Sequence, residues 1–131
     1  MNHTAFFGDA TYTFALTDDM ILELEHKTAI GIGALYRRVV SADFRLIDIT
    51  EIIRLGLIGG GTSPAAAKRL VDAYAINRPF DETFPMALDI LDARWTGTPA
   101  APVAAQDEIN QAAASGDMSA AISETMKEAG L

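Results

Sequence analysis

Apolar residues alternate with polar ones at the start of the chain, then recur every three or four positions up to about residue 95, where the pattern stops. In "TAFFGDATYTFAL" two β-prone segments flank Gly8-Asp9, which predicts a hairpin. Tyr12, Phe14 and Leu16 alternate with Thr11, Thr13 and Ala15, so one face of the second strand should be buried. Thr17, followed by Asp18 and Asp19, supplies an N-cap and an acidic first turn for a helix over 18–28. Within it "ILELEHK" also alternates as a strand would. Gly31 and Gly33 break this segment, and "ALYRRVV" predicts a second short helix.

The next segment, "DITEIIRLGL", carries the clearest helical stripe. Ile49, Ile52, Ile53, Gly56 and Leu57 share one face, Glu51 and Arg54 point outward, and Asp48 is the expected N-cap. Gly56 costs about 1 kcal/mol relative to alanine inside a helix, so close approach of another backbone is expected there. A helix over 64–76 should bury Ala67, Leu70, Val71 and Tyr74, with Lys68 and Asp72 paired outside. After "NRPFDE", Asp81 is the expected cap of a last helix, with Pro85 in its first turn. Phe84, Ala87, Leu88, Leu91 and Trp95 form its expected stripe, and Trp95 and Tyr36 read as core aromatics.

Between these helices lies "RLGLIGGGTSPAAAKRL", the most motif-like stretch of the chain. A Walker phosphate loop needs a strand before it and a lysine after its last glycine. Gly56 and Gly61 have the required spacing, but Thr62 stands in place of the lysine and the preceding segment is helical. A corner explains each residue. One of Gly59, Gly60 and Gly61 ends a helix with positive φ, Ser63 caps the next helix, and Pro64 takes its first position.

Other chemistry is sparse. Glu23 and His26 have the Glu-x-x-His spacing of one half of a di-iron site, but no second copy follows. Neither Ser41 nor Ser63 stands in a G-x-S-x-G elbow. Asp89 and Asp92 read as a solvated face, as does Arg37-Arg38. No catalytic residue, cofactor or metal site is expected, and the chain reads as non-enzymatic.

Composition narrows the class further. The 131 residues suffice for one domain, and no apolar run approaches the roughly 18–20 residues of a membrane span. The chain has no cysteine, which fits a reducing compartment such as the bacterial cytoplasm, and its start lacks the pattern of a signal peptide. A net charge of −8 argues against direct nucleic-acid binding. Beyond residue 96, "TGTPAAPVAAQ" reads as a linker to an alanine-rich, acidic tail. Asp107, Glu108, Asp117, Glu124 and Glu128 stand there against Lys127 alone, a net −4. Met118, Ile122 and Met126 could line one face of a short helix and are candidate partner contacts. The expected fold is α+β and predominantly helical: an N-terminal β-hairpin packed on four or five short helices in a domain over 1–96, then a flexible acidic tail over 97–131.

The order of residues adds a resemblance. "FGDATYTFALT", "LELEHKTAIGIGALYRRVVSADFRLIDITEIIRLGLIGGG", "SPAAAKRLVDAY" and "RPFDETFPMALDIL" resemble a family of gene transfer agent and phage tail proteins, described as tail tube or tail assembly chaperone proteins. The resemblance covers about residues 5–97 and is most specific from Ile47 to Gly61. It implies work on the long tail of a phage-like particle, and the family brings no catalytic residues to carry over. A chaperone would bind the tape measure protein, the tail tube protein or both, and self-association is also expected. A tail tube protein would itself polymerise. Outside the resemblance stands a small-molecule-binding module with a pocket between its helices.

Overall fold

The computed structural model describes residues 1–97. Strands β1 (Asn2–Phe7) and β2 (Ala10–Ala15) pair antiparallel, with Phe7 opposite Ala10 and Asn2 opposite Ala15. Gly8 alone in the connecting turn has positive φ, at 71°, which suits the first central position of a two-residue hairpin turn. Phe7, Phe14 and Leu16 point into the core, as the alternation of β2 requires. Five helices follow, and the hairpin-on-helices architecture is the one the sequence implies: α1 (Asp18–Thr28), α2 (Ile32–Val40), α3 (Leu46–Gly59), α4 (Pro64–Tyr74) and α5 (Phe80–Thr96).

Helix α1 forms despite the strand-like alternation within it. Thr17 caps it by accepting from the Met20 N–H, two acidic residues occupy its first turn, and Ala29 closes it in the left-handed region. Helix α3 is the centre of the molecule. It is apolar on nearly every side, so it has to be enclosed. It packs against β2, α1, α4 and α5, and Ile49, Ile52, Ile53, Leu55 and Leu57 are all buried.

Several local expectations need correction. Asp48 is not the N-cap of α3; Arg45 holds that position and Asp48 is the third helical residue. The Asp48 carboxylate accepts from the cap's own N–H, which is one half of a capping box; the Arg45 side chain has no acceptor for the other half. Helix α5 likewise starts at Phe80 behind Pro79, so Asp81 lies in its first turn instead of capping it. Pro85 is then the sixth helical residue, and its missing N–H leaves the Asp81 carbonyl without an intrahelical donor.

The buried line of α5 runs through Thr83, Ala87, Ile90 and Leu91; Phe84 and Leu88 lie at its margin. Trp95, expected in the core, is 46% exposed because Ile90 and Leu91 set the inward face. Tyr74, expected in the core from α4, stands at the surface against the hairpin turn. Gly56 is not a backbone contact either. A Cβ there would stand 3.2 Å from Ile90 Cγ2 and 3.5 Å from Phe14 Cβ, so side chains of α5 and β2 fill that space.

Candidate interaction surface

The backbone approach expected at Gly56 occurs one turn later. A Cβ on Gly59 would collide with the carbonyl oxygen of Ala15, and one on Gly60 with that of Thr13. Only glycine lets the end of α3 press directly on the backbone of β2. Gly60 caps the helix at φ −85° and keeps the right-handed region; Gly61, at φ +114°, is the residue that turns the chain. The Gly61 N–H donates to the Ile58 carbonyl at 3.0 Å and the Thr62 N–H to that of Leu57 at 2.9 Å. These two bonds make a Schellman close. Ser63 Oγ then accepts from the Ala66 N–H at 3.2 Å, and Pro64 stands at the start of α4. The amides of Gly60, Gly61 and Thr62 are thus all spent on α3 carbonyls, which leaves none of them free to cradle a phosphate.

Many of the acidic side chains are committed too. Asp48 is fully buried; it accepts from the Arg45 N–H at 2.8 Å and from Arg45 Nη2 at 3.0 Å, and Arg38 Nη1 lies 3.5 Å away. Arg45 also donates to the Thr28 carbonyl, so this clasp ties the end of α1 to the start of α3. Glu25 accepts from the Ile32 N–H at 2.8 Å and so caps α2, whose Gly31 N-cap has no side chain to do it. Glu23 faces Lys27 at 3.9 Å, and His26 lies in the last turn of α1. Asp89 and Asp92 serve separate partners: His3 at 3.8 Å and the Tyr36 hydroxyl, which donates at 2.7 Å. The hydrogen bond to Asp92 is the main cause holding the Tyr36 phenol above its ordinary pKa. Among the described residues, no group of three or more acidic or histidine side chains could hold a metal ion. No described helix is long and apolar enough to cross a membrane.

Apolar surface is the remaining material for a site. Phe44, in the loop between α2 and α3, stacks on Phe84 at 5.3 Å and meets Phe80 edge-on at 5.8 Å. Phe80 is itself half exposed. Trp95 stacks on Tyr36 with ring centroids 4.0 Å apart, an aromatic pair open to solvent. A third patch lies where β1 meets α4 and α5. There Phe6, Phe7, Tyr74 and Met86 line a cavity of about 470 Å³ beside the Arg78–Glu82 ion pair. Grouped apolar exposure of this kind marks protein or membrane interaction sites and ligand grooves. Sequence periodicity missed these patches because it marks which residues are apolar, not which ones the fold leaves outside. Met118, Ile122 and Met126 lie outside the described residues.

The described residues thus form a small hairpin-and-helix domain with clustered aromatics on its surface. The chain belongs to the family described as "Phage tail tube protein, GTA-gp10", whose model matches residues 1–97. That family places it among the phage-type tail proteins of gene transfer agents, as the resemblance implied. No curated protein and no solved structure matches the chain.

Proposed function

We propose that this protein is a non-enzymatic tail assembly chaperone. It binds the tape measure protein, the tail tube protein or both in the bacterial cytoplasm, before the tail of a phage-like particle polymerises. The observation that carries this reading is the size of the sheet: among the described residues it has two strands of six residues each. A tube ring needs a sheet broad enough to line a continuous channel, and helices make up most of this domain. The half-exposed aromatics at Phe80 and Trp95 suit apolar client surfaces, and a net charge of −8 helps to keep such a complex in solution. In this reading residues 1–96 form the folded domain. Residues 97–131 form an acidic tail whose Met118, Ile122 and Met126 add adaptable contacts.

The family description, which names the tail tube, favours a second reading: a structural subunit of the tail. Co-expression with each partner and mass spectrometry of finished particles separate the two. A chaperone raises the soluble yield of its partner and is missing from purified particles. A tube subunit is present in ring-like stoichiometry along the tail and does nothing for partner solubility.

A further inference from the structure

The hairpin has two edges, and among the described residues only one is covered. Thr13 and Ala15 point their carbonyls at the glycines of α3, hence away from β1. In an antiparallel ladder such residues are non-hydrogen-bonded pairs, so their opposite numbers Thr4 and Asn2 also face outward, on the far side of β1. Phe6, two positions on from Thr4, does the same. The outward N–H and C=O groups of Asn2, Thr4 and Phe6 have no partner outside the hairpin among the described residues. All three residues are exposed, Phe6 at 67%. Natural edge strands are usually protected by lysine, proline or a bulge. The β1 sequence "NHTAFF" carries no lysine, glutamate, aspartate or proline, and its six residues pair without interruption.

We infer that β1 is a dimerisation edge, pairing antiparallel with β1 of a second copy of this chain about a two-fold axis at Thr4. This register joins outward-facing groups only: Thr4 opposes Thr4 of the other copy, and Asn2 opposes Phe6. No charged side chain of β1 meets its own kind across the axis, and paired threonines are favourable cross-strand neighbours. The same symmetry argues for a second copy over an unrelated strand. It sets Met1 of one copy opposite Phe7 of the other. Met1 is an exposed apolar side chain on the inward-facing parity of β1, and Phe7 lines the cavity bounded by Tyr74 and Met86. Plug and cavity lie at opposite ends of one strand, so a two-fold brings each to its complement twice. Helix α5 packs against both strands, and the outward backbone groups of Asn2, Thr4 and Phe6 accept or donate no backbone hydrogen bond to it. The result is a four-stranded sheet of order β2–β1–β1–β2. The inference does not depend on the chaperone reading.

The test uses the full chain. Light scattering behind size exclusion should give about twice the monomer mass of 14.0 kDa at high micromolar concentration. Thr4→Lys, which sets two ammonium groups at the axis, should return a monomer whose melting curve matches that of wild type diluted to its monomeric state. Since the chain has no cysteine, Thr4→Cys provides an independent readout. Opposed Cα atoms in this register stand about 5.5 Å apart, within the roughly 4.4–6.8 Å that a disulfide spans. Mild oxidation should therefore cross-link Thr4→Cys and leave Lys68→Cys, on the exposed face of α4, without a covalent bond between copies. A wild-type chain that stays monomeric, or a dimer that survives Thr4→Lys, overturns the inference. So does a monomer whose Thr4→Lys variant loses capture of a co-expressed tail protein, which would assign the edge to a partner's strand.

Discussion

The two edges of one hairpin are treated in opposite ways. Along β2 the helix end at Gly59 and Gly60 lies so close that any side chain would strike the strand's carbonyls. Along β1 nothing comparable is present among the described residues, and Asn2, Thr4 and Phe6 are exposed. Both strands are short and neither carries a lysine. The difference therefore comes from what packs beside each strand. A bare edge costs a chain solubility unless it is used or defended, and here the defended edge is the one built into the fold.

The contrast can be broken most severely at Gly60. Gly60→Val forces a Cβ into the Thr13 carbonyl and should cost about 3–5 kcal/mol, or prevent folding, measured by chemical denaturation. A loss under 1 kcal/mol would show that α3 can lift off β2 at little cost. Ser63→Ala tests the same corner without touching the strand. It removes only the cap to the Ala66 N–H and should cost about 1 kcal/mol. A much larger loss would move the importance of the corner from strand contact to the turn itself. On the open edge, Thr4→Lys should change monomer stability by no more than about 0.5 kcal/mol, as expected of an exposed side chain.

The smallest effect lies at the tip of the hairpin. The Tyr12 hydroxyl donates to Asp9 at 2.7 Å, and this hydrogen bond is the main cause raising the phenol above its ordinary pKa. The folded state thus favours the protonated phenol. Its contribution is complete below the ordinary value near 10 and fades as pH rises through the higher folded value. Melting temperatures of wild type and Tyr12→Phe should differ slightly at neutral pH and converge in strong alkali. A gap that widens with alkali would reverse the sign of the argument.

The elements were legible in the sequence because their signals are local. Alternation marks β2, Thr17 and Ser63 mark helix starts, and the isoleucines of α3 mark its inward face. Tertiary contacts decided the rest. Asp48 reads as a cap from its type, but its burial beside Arg45 and Arg38 makes it a clasp three residues further in. The glycine cluster announces a corner, but which backbone passes over Gly59 and Gly60 depends on where β2 folds back, some forty residues earlier in the chain. Trp95 lies close in angle to the α5 stripe, and only the packing of Ile90 and Leu91 shows that it falls outside. The aromatic patches follow the same logic: hydrophobicity is written in the sequence, and exposure is a property of the fold.

The stack of Trp95 on Tyr36 also gives the molecule an optical property. Trp95 is the only tryptophan of the chain, half open to solvent and two residues before Gly97, where α5 ends. Its fluorescence therefore arises from one place, with a tyrosine against one face of the indole and solvent within reach of the rest. Any protein that covers this end of α5 will shift the emission to shorter wavelength. Contacts made only at the hairpin will leave it unchanged. The chain carries its own label, and a titration in a fluorimeter can report which end of the domain a partner has met.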